Sequence, residues 1–128
     1  MAGRLKLWLV DDNDEFRHAF AVLLKRWFGF EYIRHFGSAE TVFEELVNDS
    51  GPDVVLLDLK LPGMNGVDAV SVIKAKSPAT RIIMFTTYFD VASATQALAA
   101  GASAFLTKNR PYEEVVAAVC GDRPEFEW

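Results

Sequence analysis

Short apolar runs and longer segments of helical period alternate along nearly the whole of this chain. The apolar runs are rich in Val, Ile, Leu and Phe, and they predict strands at residues 5–10, 31–36, 53–57, 81–87 and 103–107. Between them, apolar residues recur at steps of three and four, which predicts helices. Such an alternation favours a parallel sheet, because each right-handed crossover needs a helix to return the chain.

The predicted helices have apolar faces that should contact the sheet. The first helix has one stripe that we expect to be buried: Phe16, Phe20, Leu23, Leu24 and Trp27. The second helix, which Ser38 can cap, has a similar inner face: Ala39, Val42, Phe43, Leu46 and Val47. The others are expected at about residues 67–76, 90–100 and 111–120. The pattern predicts a flavodoxin-like, doubly wound sheet of five parallel strands with helices on both faces.

Composition excludes several classes of function. The chain has 128 residues, the usual size of one domain; we expect the domain at residues 1–121, and a tail or the start of a linker at 122–128. A net charge of −5 gives no clustered positive surface, so direct nucleic acid binding is not expected. Cys120 has no second cysteine to pair with, which fits a reducing, cytoplasmic setting. No apolar run is long enough to span a bilayer, so no membrane partner is expected.

Polar residues stand at the carboxyl ends of four predicted strands. Asp11 and Asp12 follow the first strand, Asp58 follows the third, Thr86 ends the fourth, and Lys108 follows the fifth. If the strand order is 2-1-3-4-5, the first and third strands are neighbours about 4.8 Å apart, and the acids converge. Carboxylates within ~5 Å repel one another by roughly 3 kcal/mol at an effective dielectric near 20. A cation must therefore lie among them, or one must be protonated.

A divalent cation satisfies this requirement best. Mg²⁺ prefers oxygen ligands and keeps several waters, and Mn²⁺ is an alternative. We expect Asp12, Asp58 and the backbone carbonyl of Lys60 to bind the ion, and Asp11 to hold a water bound to it. With the Thr86 hydroxyl and the Lys108 ammonium, such a site could neutralise the oxygens of a transferred phosphoryl group.

Each candidate also has a plainer interpretation. An acid pair after a strand is often part of a helix cap, although here Asn13 or Asp14 can serve as the cap. Thr86 is an ordinary strand residue and Lys108 an ordinary surface charge, and only their placement with Asp58 makes them candidates. His18 and His35 have no ligand-spaced partner, so a structural role is expected for both.

Four segments together resemble the signatures of the response-regulator receiver domain: LVDDND, VVLLDLKLPGMNGVD, IIMFTTY and GASAFLTKN. The resemblance covers nearly the whole chain and implies the strand order 2-1-3-4-5. It also implies that Asp58 accepts a phosphoryl group from a phosphohistidine on a sensor histidine kinase or a phosphotransfer protein. The last segment resembles receivers that precede a helix-turn-helix output domain. Whether this receiver belongs to a longer regulator or stands alone stays open.

The same resemblance implies that two side chains move when the site is phosphorylated. The Thr86 hydroxyl would shift toward the phosphoryl group while Phe105 turns inward, although Phe105 could equally be a plain core residue. The fourth helix, fifth strand and fifth helix would then change their surface for an output domain, a partner or a homodimer. Thr87, Tyr88 and Lys60 flank the site and could slow water attack on the phosphoryl group. Asn109 follows Lys108 where many receivers have a proline, so no cis bond is implied there.

Three classes of function follow from these residues. The first is a phosphorylated switch, a regulatory domain rather than an enzyme. The second is a protein-interaction module of the same fold that takes no phosphate, but such modules usually lose an acid or the lysine. The third is a hydrolase with an aspartate nucleophile. It is the least favoured, because phosphatases of the haloacid-dehalogenase type need a second aspartate where Lys60 stands.

Overall fold

The computed structural model describes residues 4–48 and 50–121, so the predicted tail at 122–128 lies outside the described residues. The strands are β1 (Lys6–Val10), β2 (Tyr32–Phe36), β3 (Val54–Leu57), β4 (Arg81–Thr86) and β5 (Ala104–Thr107). The helices are α1 (Asp14–Phe28), α2 (Ala39–Asn48), α3 (Gly66–Lys76), α4 (Val91–Ala100) and α5 (Tyr112–Cys120). Each predicted strand bound therefore lies within one residue of an observed one.

The strands form one parallel sheet in the order β2-β1-β3-β4-β5. This confirms the predicted doubly wound, flavodoxin-like arrangement. The chain moves outward in one direction from β1 to β2 and in the other from β3 to β5, so the order reverses between β1 and β3. A crevice opens at the carboxyl ends of strands where the order reverses.

The core consists of two apolar clusters, one on each face of the sheet. Leu7, Leu9 and Val54 lie in one cluster with residues of α1 and α5, such as Leu24 and Val119. The other face packs against α2, α3 and α4 through residues that include Val42, Val70 and Ala97. All four residues of β3 are buried, as expected for a central strand covered on both sides.

Two residues that were predicted to lie on the buried faces of helices are exposed instead. Trp27 is 78% exposed and Val47 is 75% exposed. In α1, Phe16, Phe20, Leu23 and Leu24 pack against the core as predicted, but the buried face ends at the partly buried Phe28 rather than at Trp27. Val47 lies in the last turn of α2, where the preceding Leu46 packs against the core instead.

Side-chain caps fix where the helices begin at the crevice. Asn13 accepts a hydrogen bond from the amide of Phe16 at 3.0 Å, and Ser38 accepts one from Thr41 at 3.3 Å, so both predicted caps are confirmed. The described residues contain no cis peptide bond. No helix within residues 4–48 and 50–121 combines the length and apolar character that crossing a bilayer requires.

Candidate functional site

Neighbouring strands bring the acidic residues to the same level of the sheet. Val10 of β1 lies opposite Leu57 of β3, so Asp11 and Asp58 leave the sheet side by side. The amide of Asp58 donates to the carbonyl of Val10 at 2.9 Å, and the amide of Asp11 donates to Phe36 at 3.0 Å. Both acids thus continue the ladder of hydrogen bonds past the ends of their strands, which holds their backbones in place.

The predicted convergence of the acids is confirmed. Asp11, Asp12 and Asp58 each offer one carboxylate oxygen, and these oxygens lie within 4.8 Å of one another. Asp11 is 1% exposed and Asp58 is 7% exposed, whereas Asp12 faces solvent. Oxygen donors that carry negative charge suit a hard divalent cation such as Mg²⁺. The residues present therefore fit the metal site expected from the sequence, while the part of the Lys60 carbonyl in it stays a prediction.

Lys108 brings a positive charge to these acids. Its Nζ atom lies 2.5 Å from Asp11 Oδ2 and 3.4 Å from Asp58 Oδ2, and its side chain is only 16% exposed. The amide of Lys108 donates to the carbonyl of Thr86 at 2.7 Å, which places the lysine next to the end of β4. The shorter contact shows that Lys108 pairs first with Asp11.

The pKa of Asp58 is raised above its ordinary value. The largest cause is burial, which disfavours the charged form, and the negative charge of Asp11 adds to it. Lys108 and a hydrogen bond with the Thr86 side chain act in the opposite direction but do not cancel these effects. The charged form of Asp58 is thus disfavoured mainly because the side chain is buried.

The loop after Asp58 is held close to it by glycine. A Cβ atom on Gly66 would lie 2.2 Å from the carbonyl oxygen of Asp58, so a larger residue would push the loop away. The amide of Gly66 donates to Leu59 at 2.7 Å. Gly63 adopts a φ of 75°, a left-handed conformation that favours glycine and bends the loop. The loop therefore turns back close beside the acid.

A cavity of about 230 Å³ opens over the acids. It is lined by Asp11, Asp12, Asn13, Asp58, Lys60, Thr86, Thr87, Tyr88 and Lys108. The structure thus brings together all the predicted site residues except Phe105. Phe105 is buried in the core and lies edge-on to Phe89, with their ring centroids 5.7 Å apart.

Sequence reasoning missed one charged residue that supports the site. Arg17 is 9% exposed, and its guanidinium donates from Nη1 to the Asp11 carbonyl at 2.6 Å and from Nε to His35 Nδ1 at 2.9 Å. Its Nη2 also pairs with Asp14 at 2.8 Å. The only indication of its burial in the sequence was that Arg17 lies four and seven residues before Ala21 and Leu24, on the same face of the helix.

His35 must be neutral to accept this hydrogen bond from Arg17. The pKa of His35 is lowered, first by burial and then by the positive charges of Arg17, His18 and Lys25. The His18 ring lies edge-on to His35, with centroids 4.8 Å apart. The expected structural role of these histidines agrees with the contacts.

The sequence of this chain is similar to those of known proteins. The family model described as response regulator receiver domain matches residues 7–120. The transcriptional regulatory protein LnrK of Bacillus subtilis is 32% identical over 115 residues, which cover 90% of this chain and 52% of that protein. The chain spans about half the length of the curated relatives it matches.

Two solved structures extend the likeness to three dimensions. A two-component response regulator of the LuxR family from Aurantimonas sp. is 31% identical, with a TM-score of 0.81 over 91% of this chain and 86% of that one. A response regulator from Burkholderia pseudomallei, solved with a phosphorylated aspartic acid, calcium ion and citrate, is 25% identical, with a TM-score of 0.81 over 90% of this chain and 66% of that one. With the fold, the acidic cluster and the family match in agreement, this chain belongs to the response regulator receiver domain family.

Proposed function

We propose that the chain is a phosphorylation-dependent switch in which Asp58 accepts a phosphoryl group from a sensor histidine kinase or a phosphotransfer protein. The observation that carries this proposal is the meeting of Asp58 with Asp11, Asp12, Thr86 and Lys108 in one cavity. The phosphorylated aspartic acid in the similar response regulator from Burkholderia pseudomallei also supports it.

In the proposed reaction, a carboxylate oxygen of Asp58 forms a bond to phosphorus while the bond from phosphorus to the donor imidazole nitrogen breaks. The imidazole keeps the electron pair and takes up a proton, and Asp58 becomes an acyl phosphate. Lys108, now 3.4 Å from Asp58 Oδ2, can turn from Asp11 to a phosphoryl oxygen. The Thr86 hydroxyl, which already reaches the Asp58 side chain, can donate to another.

Asp11, Asp12 and Asp58 would hold the divalent cation, proposed as Mg²⁺ with Mn²⁺ as an alternative, together with the Lys60 carbonyl. When bound, the ion would supply the positive charge that the acids lack and favour the ionised form of Asp58. Asp11 already accepts from Lys108 and from the amide of Asn13 at 2.9 Å. This pairing supports a role for Asp11 through a water and leaves Asp12 and Asp58 as direct ligands.

The output proposed for the switch passes through Thr86 and Phe105. Movement of the Thr86 hydroxyl toward the phosphoryl group would open space beside β5, and the surface of α4, β5 and α5 would change with it. A partner or output domain can shift the equilibrium between the two conformations of the switch only by the difference between its affinities for them. A homodimer that forms on phosphorylation would express such a preference. We propose that this chain contacts neither nucleic acid nor membrane and that the switch acts in the cytoplasm.

The proposed function is tested by incubating the protein with acetyl phosphate and Mg²⁺ and measuring intact mass. We expect the wild type to gain one phosphoryl group and Asp58→Asn to gain none. Asp53→Asn is a matched control, because Asp53 is an exposed acid at the opposite end of β3 that accepts from the Lys6 amide. An adduct on Asp58→Asn, or none on the wild type, would contradict the proposal; the second result would favour a protein-interaction module.

We further propose that the residues flanking the cavity set the lifetime of the acyl phosphate. Tyr88 is 71% exposed, and both it and Lys60 line the cavity, where each can hinder a water molecule that attacks phosphorus. Thr87 adds bulk at the same rim. Lys60→Ala and Tyr88→Ala should speed dephosphorylation in the presence of Mg²⁺. Unchanged rates in both variants would remove this part of the proposal.

A further inference from the structure

The ammonium group of Lys108 has a third neighbour besides its two acids. Its Nζ atom lies 4.4 Å from the centroid of the Phe16 ring, well within the range of a cation–π interaction. The Lys108 side chain is 16% exposed, so water weakens this attraction little. The charge that must meet the phosphoryl group is thus held between carboxylates and an aromatic face.

The Phe16 ring also contacts other aromatic rings. It stacks on Phe20 with centroids 5.3 Å apart and an interplanar angle of 16°, and it lies 6.1 Å from Phe85 of β4. Phe20 in turn contacts Phe85 and Tyr112 of α5, each with centroids 5.3 Å apart. Phe16 therefore lies at the edge of a ring cluster from α1, β4 and α5, on the side that meets Lys108.

We propose that Phe16 is a positioning residue for Lys108, an inference that rests on the proposed phosphoacceptor function. A lysine ammonium has three donors on a flexible stem. Asp11 holds it at 2.5 Å, whereas Asp58 is 3.4 Å away, so Asp11 alone would draw the charge from the acceptor. The ring attracts the ammonium without occupying a carboxylate, and Lys108 can exchange an acid for a phosphoryl oxygen while it stays over Phe16.

A purely structural role for Phe16 makes a different prediction. Phe20 belongs to the same stack and is more deeply buried, at 2% exposed, but the ring that lies on Lys108 is Phe16. Phe20→Leu is therefore a matched control that disturbs the same cluster without removing the aromatic face from the lysine. Phe16→Tyr keeps the face, and Phe16→Leu removes it.

The experiment compares rates of phosphorylation by acetyl phosphate at saturating Mg²⁺. Phe16→Leu should slow the reaction roughly 3- to 10-fold, in line with the energy of a partly buried cation–π contact. Phe16→Tyr and Phe20→Leu should each stay within about two-fold of the wild type, although Phe20→Leu should lose more stability. A wild-type rate for Phe16→Leu, or a rate for Phe16→Tyr as slow as that of Phe16→Leu, would overturn the proposal.

A second measurement separates this proposal from the proposed function. A double-mutant cycle of Phe16→Leu and Lys108→Met on urea unfolding requires no phosphorylation. The two changes should be coupled by roughly 2- to 5-fold in the unfolding equilibrium constant. If the wild type takes no phosphoryl group, the proposed function fails while the cycle still reports the contact. Strictly additive effects would refute the contact itself.

Discussion

The two ends of the sheet both bury polar side chains, but they treat charge differently. At the amino end, the hydroxyl of Thr80 donates to the carbonyl of Pro52 at 2.7 Å and lies 2.7 Å from the Ser77 hydroxyl. The ammonium of Lys74 donates to the carbonyls of Pro78 and Thr80 at 2.9 and 2.8 Å. These partners are neutral, and each polar group is matched.

At the carboxyl end, the ammonium of Lys108 pairs with Asp11 and Asp58, and Asp12 lies in the same cluster of acids. The acids of this cluster outnumber the lysine that pairs with them, while burial, with the negative charge of Asp11 added to it, raises the pKa of Asp58. Buried polar groups that only support a fold tend to be satisfied by their neighbours. The unmatched charge is therefore what distinguishes a binding site from a structural network in this molecule, and substitutions at the two ends should respond differently to Mg²⁺.

The largest effect is expected from Lys108→Met in the absence of metal. This change leaves the buried Asp11 and Asp58 without their cation and should lower the free energy of unfolding by about 3 kcal/mol at neutral pH. Mg²⁺ should recover much of the loss, because the ion replaces the missing charge. Urea unfolding with EDTA or with Mg²⁺ measures both quantities. Lys74→Met is the matched control; an equal response to Mg²⁺ in the two variants would contradict the comparison.

Thr80→Val should have the next largest effect. Valine keeps the shape of threonine but leaves the Pro52 carbonyl without the hydroxyl that donates to it, at a site that is 1% exposed. Such a loss costs about 2 kcal/mol. The same measurement should give the same loss with and without Mg²⁺, since no ion is expected at this end. A loss that Mg²⁺ reverses would show that the two ends are not independent.

The sequence was sufficient for the sheet and for the acids, for a physical reason. Strands covered on both faces must be apolar throughout, so Val54–Leu57 could be recognised without any knowledge of its neighbours. Acids placed directly after such strands emerge at one edge, which is why Asp11 and Asp58 could be brought together in advance. The first feature depends on local pattern alone, and the second also needs the strand order, which the resemblance to receiver domains implied.

Features that depend on how one side chain meets another could not be predicted. An arginine on a helix is usually solvent-exposed, so the burial of Arg17 was missed, and the exposure of Trp27 was missed as well. The closer approach of Lys108 to Asp11 than to Asp58 is likewise a matter of rotamers. The sequence pattern identified which residues form the site, but side-chain packing determines which of them pair with one another.

Asp58→Asn should stabilise the metal-free protein by roughly 1 kcal/mol, the ordinary scale of a single substitution. The pKa of Asp58 is raised on folding, so the folded state holds its proton more tightly than the unfolded state does. Stability therefore falls as pH rises from 3.8 through the raised pKa, and at neutral pH the wild type carries the whole penalty. Thermal unfolding in EDTA should show a higher Tm for the variant at neutral pH and a smaller difference in acid. Asp53→Asn, at the other end of β3, should not raise the Tm.

The smallest effect is expected at Arg17. This buried guanidinium lies at the carboxyl end of the sheet and is paired with Asp14, His35 and the Asp11 carbonyl. His35 accepts from Arg17, and its pKa is lowered by burial and by Arg17, His18 and Lys25, against the opposing charge of Asp14. A lowered pKa means that the unfolded state binds protons more readily, so stability should fall as pH drops from 6.5 through the folded-state value.

His35→Asn tests this coupling, because the asparagine oxygen can take the place of Nδ1 and accept from Arg17 but does not titrate. Urea midpoints between about pH 7.5 and pH 5 should decline less in this variant than in the wild type. His18→Gln is the control: His18 is exposed, and the variant leaves the hydrogen bond to Arg17 intact, so most of the decline should persist. Equal slopes in the wild type and His35→Asn would mean that protonation of His35 does not disturb Arg17. In that case the stability contributed by the hydrogen-bonded Arg17 would be as insensitive to pH as that of the neutral network around Thr80. The two ends of the sheet would then differ only in the cluster of carboxylates.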